Sequence, residues 1–574
     1  MVDAKINLGR YLFERIRQLD VQSIFGVPGD FNLRLLDEIN NVKDLSWVGN
    51  CNELNAAYAA DGYSRVKGIE GKGFACLVTT FGVGELSALN GVAGSFAEHV
   101  GLLHVVGVPS VSAQQRQLLL HHTLGDGNFS TFRNMSEGVT LTSAFLNDHS
   151  TAADEIDRVI REAFIHQRPT YLAFPTNLVE VEVPVLRLEK PLKMEMPEND
   201  PDAESEVIHE ISKMIAAASD PVILVDACCT RHDSTREAKA LIDITQFKYG
   251  ITPMAKGSKS VDEDGERYVG IYVGTLSYPE VKRQVETSDL VISCGALLSD
   301  FNTGSFSYGF NTKNVVELHS DCTKVRSAMY YNVRMKGLLK KLVVSDELKA
   351  SLANYKPRPV TRDVHRQVSL EPSAPLTQEL LWNNVSKFLR EGDIVVTETG
   401  TSSFGIIQTH FPKNTFGISQ ILWGSIGYSV GAAMGAAQAA KEIDPNRRVI
   451  LFVGDGSLQL TVQEISTMIR RGTTPYVFVL NNDGYTIEKF IHGMEADYNQ
   501  IQPWKYQNFL DIFGAKSNYE VLGVKNIGEL QSLFSDKNFA KNDKIRLIEL
   551  FLNEYDCPKN LVSQAEQSAK TNNS

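Results

Sequence analysis

Short runs of consecutive apolar residues alternate along the chain with longer segments of helical pattern. Near-continuous apolar runs are typical of parallel strands that flanking helices bury on both faces. The pattern therefore predicts an α/β fold with three doubly wound domains in series, each containing a mainly parallel sheet flanked by helices. The strand-like runs lie at residues 75–80, 102–108, 222–225, 290–293, 315–318, 394–397, 449–453 and 476–480.

Two proline-rich stretches separate these groups of runs. Residues 184–201 contain four prolines, and residues 356–375 contain four more. Proline lacks a backbone donor and fixes φ, so prolines at this density block a regular helix or sheet. We therefore predict linkers at these two stretches and domains at residues 1–185, 190–355 and 375–574, each of ordinary domain size.

Charge and composition narrow the class of protein. The 57 basic and 69 acidic side chains give a formal net charge of −12, which excludes a broad electrostatic footprint for nucleic acid or an anionic membrane. The most apolar long stretch, at residues 424–440, is interrupted by serine and glycine and predicts a buried helix rather than a membrane span. Seven sparse cysteines and the lack of a signal-like apolar run at the N-terminus predict a reducing, cytoplasmic location.

Candidate ligand groups follow two neighbouring strands of the third predicted domain. One run stops at Gly454-Asp455-Gly456-Ser457 and the next at Asn481-Asn482-Asp483-Gly484. The spacing fits one helix plus one strand, so both strand ends should lie side by side at the carboxyl edge of the sheet. A carboxylate, an amide oxygen and loop carbonyls form the hard oxygen set that Mg²⁺ prefers. The alternative is that the first segment is a tight turn and the second an ordinary loop.

Taken together, the two segments resemble the metal- and diphosphate-binding motif of thiamine diphosphate enzymes. The resemblance implies that Asp455, Asn482 and the carbonyl of Gly484 ligate Mg²⁺, which anchors the diphosphate of the cofactor. It also implies that Gly456 and Ser457 contact the diphosphate.

The same family places one carboxylate from a different domain against the pyrimidine ring of the cofactor, and Glu53 resembles that residue. In that role Glu53 would stabilise the imino tautomer, whose imine takes the proton from the thiazolium carbon. The alternative is that Glu53 is a first-turn glutamate that interacts favourably with a helix dipole.

The segment at residues 421–427, Ile-Leu-Trp-Gly-Ser-Ile-Gly, resembles the stretch that bends the cofactor into a V shape. By this resemblance, the Gly424 carbonyl accepts a hydrogen bond from the 4′-amino group, and Ile426 lies between the two rings. Thr399 and Thr401 resemble further residues of the cofactor pocket. The alternative for the 421–427 segment is plain hydrophobic core.

Four acid–base groups, Asp30, His121, His122 and Glu488, resemble the set found in the 2-keto acid decarboxylases. After carbon dioxide leaves, an enamine must be protonated at carbon and the product alkoxide must lose a proton. Histidines coupled to carboxylates can relay those protons. Neighbouring residues on a helix do not share a face, so both histidines serve one pocket only if they lie on a loop or at a helix end.

Each of these groups has a structural alternative. Asp30 could cap a helix at residues 31–39, and Glu488 could be a solvated helix residue. One histidine of the pair could serve only to orient the other.

The resemblance to thiamine-diphosphate-dependent 2-keto acid decarboxylases covers essentially the whole chain and is greatest for the fungal members that act on pyruvate. It implies non-oxidative decarboxylation of pyruvate to acetaldehyde and carbon dioxide, as in alcoholic fermentation, through a carbanion and an enamine of the cofactor. Family members build each active site from two subunits, so the resemblance implies a homodimer or homotetramer. Asp30, Glu53, His121 and His122 of one chain would then face the Mg²⁺ site and Glu488 of another.

The middle domain carries a segment that resembles the substrate-activation region of the fungal enzymes. The segment contains Cys228 and His232, and the resemblance implies that a 2-keto acid engages Cys228 near His232 and His99 and shifts the enzyme to an active state. The alternative is that Cys228 is a small buried residue at a strand end.

The sequence motifs leave three rival functions open. A decarboxylase for the bulkier indolepyruvate or phenylpyruvate is the first, although Ile487 and Phe301 resemble groups that crowd the pocket and favour pyruvate. An acetolactate-type synthase would not need the histidine pair. A non-catalytic regulatory paralogue that binds the cofactor is disfavoured because every acid and base that the reaction needs is present.

Overall fold

The computed structural model describes residues 4–362 and 371–572. Within these residues, the first sheet contains six strands, all parallel to their neighbours. In spatial order the strands are Ser46–Trp47, Ser23–Gly26, Ala75–Thr80, Leu102–Val108, Pro169–Pro175 and Ser143–Phe145. The α-helices of this region are Leu8–Arg17, Leu33–Asp37, Glu53–Lys67, Val83–Ala97, Val111–Gln115, Thr131–Glu137 and Ala152–His166. A short antiparallel pair, Lys5–Asn7 with Glu182–Pro184, joins the start of the region to its end.

The middle sheet is mainly parallel, with two antiparallel pairings at one edge. In spatial order its strands are Tyr268–Ile271, Lys248–Ile251, Pro221–Val225, Leu290–Cys294, Val315–Leu318, Thr323–Val325 and Ala328–Tyr330. Its α-helices are Pro201–Ala217, Ala227–Arg231, Thr235–Thr245, Pro279–Glu286, Asp300–Thr303, Met335–Leu342 and Asp346–Ser351.

The third sheet again contains six strands, all parallel to their neighbours. In spatial order they are Phe416–Ile418, Ile394–Thr397, Val449–Gly454, Tyr476–Asn481, Ile545–Phe551 and Tyr519–Val524. The α-helices are Gln378–Phe388, Thr401–Gly405, Tyr428–Ile443, Asp455–Thr461, Glu464–Arg471, Thr486–Ile491, Phe509–Ile512, Ile527–Ser535 and Lys559–Asn572. The α/β fold with three mainly parallel sheets is thus confirmed, and each predicted apolar run lies in a buried strand.

Two helices near the site begin at or soon after a predicted motif residue. A short helix, Asp455–Thr461, starts within the glycine-rich turn itself, and a second helix, Glu464–Arg471, follows it. The predicted helix at 31–39 is shorter, Leu33–Asp37, and a 3₁₀ turn, Glu38–Asn41, follows it.

The structure describes the first predicted linker completely and the second only in part. Between the strand that ends at Pro184 and the helix that begins at Pro201, the first predicted linker contains the short helix Leu186–Glu189 and is otherwise irregular. Residues 363–370 of the second predicted linker lie outside the described residues.

A helix of the first region packs very closely against a helix of the third region. A Cβ on Gly435, in helix Tyr428–Ile443, would lie 1.7 Å from the carbonyl oxygen of Ala59, in helix Glu53–Lys67. Only glycine allows the backbones to approach this closely. The contact merges the first and third sheets into one continuous hydrophobic core.

The apolar stretch at residues 424–440, which we predicted to be a buried helix, corresponds to helix Tyr428–Ile443. This helix is buried along most of its length. Among the helices in the described part of the chain, none combines the length and hydrophobicity that crossing a membrane requires.

Candidate active site

The predicted metal ligands Asp455 and Asn482 lie side by side at the carboxyl edge of the third sheet. Their strands, Val449–Gly454 and Tyr476–Asn481, pair in parallel with Gly454 opposite Leu480. Asp455 is buried, and its two carboxylate oxygens accept hydrogen bonds from the amides of Gly456 (2.8 Å) and Gly484 (3.2 Å). The strand ends therefore meet as the spacing predicts.

The donor set at this edge fits a divalent cation. The end of the Asn482 side-chain amide lies 3.1 Å from Asp455 Oδ1. With its nitrogen turned inward the amide donates a hydrogen bond to the carboxylate, and with its oxygen turned inward it completes an oxygen pair that a divalent cation can bind. Burial raises the pKa of Asp455 to about 6, and a bound cation would favour its ionised form. The site can hold Mg²⁺.

Gly456 and Ser457 lie in the first turn of helix Asp455–Thr461. A Cβ on Gly456 would lie 2.7 Å from the ring of Tyr485, so this position leaves no room for a side chain. Ser457 is 8% exposed. Their predicted contacts with a diphosphate, and the metal contact of the Gly484 carbonyl, stay predictions.

The remaining cofactor-pocket candidates of the third sheet belong to two adjoining segments. Thr399 Oγ1 donates to the carbonyl of Gln420 (3.3 Å), and a Cβ on Gly424 would lie 3.7 Å from Thr399 Cγ2. Gly424 has φ +63°, in the region that favours glycine. Thr401 is buried and Ile426 half-buried.

Glu398 joins these segments, although it is not among the residues predicted from the sequence. Its carboxylate is buried and accepts hydrogen bonds from the amides of Thr399 (3.0 Å) and Gly427 (3.2 Å) and from both the amide and the hydroxyl of Ser429. Burial raises its pKa to about 7. The sequence contains one sign of this role, because Glu398 directly follows the apolar run Ile394–Thr397. A carboxylate buried at the end of such a strand needs several hydrogen-bond donors.

Asp30 and the histidine pair form one cluster at the carboxyl edge of the first sheet. Nε2 of His121 lies 2.7 Å from Oδ2 of Asp30, and the rings of His121 and His122 meet edge to face at 4.6 Å. The ring of Phe31 stacks on His121 at 5.0 Å. The histidines lie on a loop, as predicted, and the N-cap position of helix Leu33–Asp37 is Asn32 rather than Asp30.

Glu53 and Glu488 are both half-buried. Glu53 is the first residue of helix Glu53–Lys67, whose capping side chain is Asn52, and burial raises the pKa of Glu53. Glu488 lies in helix Thr486–Ile491 beside the predicted metal site. In the described part of a single chain, no hydrogen bond or ion pair joins the Asp30, Glu53 and histidine group to the Asp455, Asn482 and Glu488 group.

The structure brings the three predicted regulatory residues together in the interior. His99 Nδ1 lies 3.0 Å from His232 Nε2, and Cys228 is within metal-ligand reach of both. Burial raises the pKa of the Cys228 thiol to about 12, so the thiol is a weak nucleophile in this conformation. The regulatory role stays a prediction.

Glu98, next to His99, is a second site residue that was not predicted from the sequence. Its Oε1 accepts hydrogen bonds from the amides of Ile421 (3.0 Å), Leu422 (2.9 Å) and Trp423 (3.3 Å). These bonds tie the first sheet to the segment that carries Gly424. No local sequence pattern signals a contact between residues more than 320 positions apart.

Three family models match the chain. They describe the thiamine pyrophosphate enzyme N-terminal TPP-binding domain at residues 6–129, the central domain at 208–345 and the C-terminal TPP-binding domain at 398–549.

Similar proteins cover nearly the full length. Pyruvate decarboxylase of Kluyveromyces lactis is 59% identical over 571 residues, and pyruvate decarboxylase isozyme 1 of Saccharomyces cerevisiae is 57% identical over 569 residues. Each alignment covers 99% of both chains.

Among solved structures, the thiamine diphosphate-dependent 4-hydroxybenzoylformate decarboxylase of Rhodococcus jostii superposes with a TM-score of 0.74 at 17% identity, covering 96% of this chain and 99% of that one. This similarity supports the fold.

Proposed function

The chain belongs to the thiamine pyrophosphate enzyme family, together with the fungal pyruvate decarboxylases, and we propose that it converts pyruvate to acetaldehyde and carbon dioxide by non-oxidative decarboxylation. The structural observation that carries the proposal is the contact of Asp30 with His121, beside His122. A cofactor site alone is common to many reactions, whereas this acid–base cluster is what loss of carbon dioxide followed by proton transfer requires.

Thiamine diphosphate, when bound, supplies a carbanion that attacks the keto group and an electron sink for the departing carbon dioxide. Asp455, Asn482 and Gly484 would hold Mg²⁺. The cofactor itself would be held by a larger set, comprising Glu53, Thr399, Thr401, Gly424, Ile426, Gly456 and Ser457. The contact between the carboxylate of Asp455 and the side-chain amide of Asn482 supports this assignment.

Proton transfer is the task of Asp30, His121, His122 and Glu488 in this proposal. The hydrogen bond between Asp30 and His121 fixes the orientation of the imidazole, and the stacked ring of Phe31 limits its rotation. An imidazole hydrogen-bonded to a carboxylate can give up a proton and regain one from solvent. Asp30 and His121 are both more than a third exposed, which supports exchange with water.

We place the complete active site between two chains of a homodimer or homotetramer in the cytoplasm. In the described part of one chain, no hydrogen bond or ion pair joins the two residue groups, which supports this assembly. The first and third sheets share one core, so each chain would present both half-sites as a rigid unit.

The test uses protein stripped of metal and cofactor, to which Mg²⁺ and thiamine diphosphate are restored singly and together. We expect acetaldehyde to form from pyruvate only when both are present. Phenylpyruvate is assayed in parallel, and its preferential turnover would overturn the choice of substrate. Cofactor binding without turnover of either acid would favour the non-catalytic alternative.

A further inference from the structure

Two clusters of metal-ligating side chains occur in the part of the chain that the structure describes. One comprises His99, Cys228 and His232, and the other Asp30, His121 and His122. In each cluster the three ligand atoms lie within 4.8 Å of one another. The surrounding charges and the exposure of the residues distinguish the two.

The cluster around Cys228 is unsuited to a cation. Arg168 donates to His99 Nε2 at 2.7 Å, so the neutral ring of His99 carries its proton on Nδ1 and donates it to His232. A metal on Nδ1 would displace that proton and oppose the guanidinium. Burial raises the pKa of the Cys228 thiol to about 12, which disfavours the thiolate that metal binding needs.

The cluster around His121 has the opposite character. Within a single chain, the side chains of Asp30 and His121 are 49% and 58% exposed, so a cation can enter from the open side of this half-site with part of its hydration. No arginine or lysine in the described residues forms an ion pair with the three side chains. His122 has φ +65°, and this backbone reversal lets adjacent histidines turn toward one carboxylate.

We propose that Asp30, His121 and His122 bind a transition-metal cation of the Zn²⁺ type, and that this binding inhibits the enzyme. Two imidazole nitrogens and one carboxylate oxygen are a ligand set that Zn²⁺ uses, with a fourth position left to water. Ligand atoms around tetrahedral Zn²⁺ lie about 3.3 Å apart, given metal–ligand distances of about 2.0–2.1 Å. The 2.7 Å pair of Asp30 and His121 therefore needs to open only slightly, which exposed side chains allow.

The metal preference of this cluster differs from that of the Asp455 site. Imidazole nitrogen favours Zn²⁺, whereas an all-oxygen site with diphosphate ligands favours Mg²⁺. Enzyme already loaded with Mg²⁺ and thiamine diphosphate should therefore still take up Zn²⁺. Once bound, Zn²⁺ would occupy the lone pairs that carry protons in the proposed reaction. The predicted inhibition therefore rests on the proposed function. The predicted zinc binding does not.

The experiment titrates ZnCl₂ into Mg²⁺- and thiamine diphosphate-loaded enzyme in a calorimeter, with excess Mg²⁺ throughout. We expect one zinc per chain in the wild type, and His122→Gln and Asp30→Asn should each weaken binding at least about 10-fold. His209→Gln is the matched control. His209 forms a comparable exposed pair with Glu347 at 2.9 Å, but no third ligand joins the pair among the described residues, so its loss should leave the zinc affinity unchanged.

Melting curves confirm that each variant is folded. Unchanged zinc affinity in both His122→Gln and Asp30→Asn would overturn the site, as would release of Mg²⁺ in step with zinc uptake. Zinc binding at this cluster without loss of acetaldehyde formation would overturn the inhibition. If the enzyme binds zinc as expected but the zinc-free enzyme forms no acetaldehyde from pyruvate, the result would count against the proposed function and not against the zinc site.

Discussion

The hydroxyl of Ser429 donates a 2.6 Å hydrogen bond to Oε2 of Glu398, across two segments that sequence alone does not connect. The same carboxylate also accepts hydrogen bonds from the backbone at Thr399 and Gly427. Glu398 therefore fixes the relative position of the loop that carries Thr399 and the loop that carries Gly424 and Ile426. Both loops belong to the proposed cofactor pocket.

Removing this carboxylate should loosen cofactor binding. Glu398→Ala leaves several buried donors unpaired, and we expect the Kd for thiamine diphosphate to rise at least about 10-fold, or about 1.4 kcal/mol. Ser429→Ala is the control: it removes one donor, keeps the carboxylate and should raise Kd by about 3-fold or less. Calorimetric titration of folded protein measures both. A wild-type Kd in Glu398→Ala would contradict the positioning role.

The metal site offers a pair of variants at neighbouring residues. Asp455→Asn should weaken Mg²⁺-dependent binding of thiamine diphosphate at least about 10-fold, because a neutral amide is a weaker ligand for a hard cation. Asp483→Asn is matched in chemistry, since Asp483 is exposed and has φ +55°, a conformation that asparagine tolerates. It should bind normally. Equal losses in both variants would indicate a general effect of charge rather than a ligand at Asp455.

Much of the fold could be predicted from the sequence, because buried parallel strands are long apolar runs and the turns after them are rich in glycine. The juxtaposition of Asp455 and Asn482, the predicted metal ligands, was also predictable, since both residues follow neighbouring strands at a spacing set by one helix. Glu398 and Glu98 were not, because a buried carboxylate is recognised by its donors. Those donors come from segments about 30 and more than 320 residues away.

Glu85 should make stability depend on pH. It is fully buried, accepts hydrogen bonds from the Gly82 amide (2.8 Å) and the Tyr171 hydroxyl (2.8 Å), and burial raises its pKa to about 7. An acid whose pKa is higher in the folded state than in the unfolded state binds more protons when folded. Its stabilising contribution is therefore complete below the unfolded pKa, near 4.5, and is lost as the pH rises to about 7.

Glu85→Gln should remove this dependence because it mimics the protonated acid. We expect wild type and variant to melt at similar temperatures near pH 5, and the variant to melt higher near pH 8. The difference in unfolding free energy should be on the order of 3 kcal/mol. A melting-temperature difference that stays constant from pH 5 to pH 8 would show that the folded and unfolded pKa values of Glu85 are alike.

Ile487 tests the choice of substrate. It lies beside Glu488 on helix Thr486–Ile491, and its Cγ2 would be 3.9 Å from a Cβ on Gly400. Ile487→Ala should enlarge the pocket and raise kcat/KM for phenylpyruvate relative to pyruvate by about 10-fold or more. Phe301, the other residue predicted to crowd the pocket, packs edge to face on Phe404 at 5.9 Å. Truncating Phe301 should therefore also lower the stability of the fold. An unchanged ratio of kcat/KM for phenylpyruvate to that for pyruvate in Ile487→Ala would show that Ile487 does not select substrates by size.

Mixing two variants that are each impaired in one half of the site tests whether an active site takes residues from two chains. Glu53→Gln damages only the first-sheet half of a site, and Asp455→Asn only the third-sheet half. If sites form between chains, a mixed dimer has one doubly damaged site and one site with both halves intact. Random reassociation of equal amounts should then restore about a quarter of wild-type activity.

Sites contained within one chain predict no recovery, since every chain carries a defect. The control mixes Glu53→Gln with His121→Gln, two changes on the same half of the site. Between-chain sites predict no recovery from that pair, because each first-sheet half remains damaged. Recovery of acetaldehyde formation in the first mixture and not in the second would therefore assign Glu53 and Asp455 of a single site to different chains.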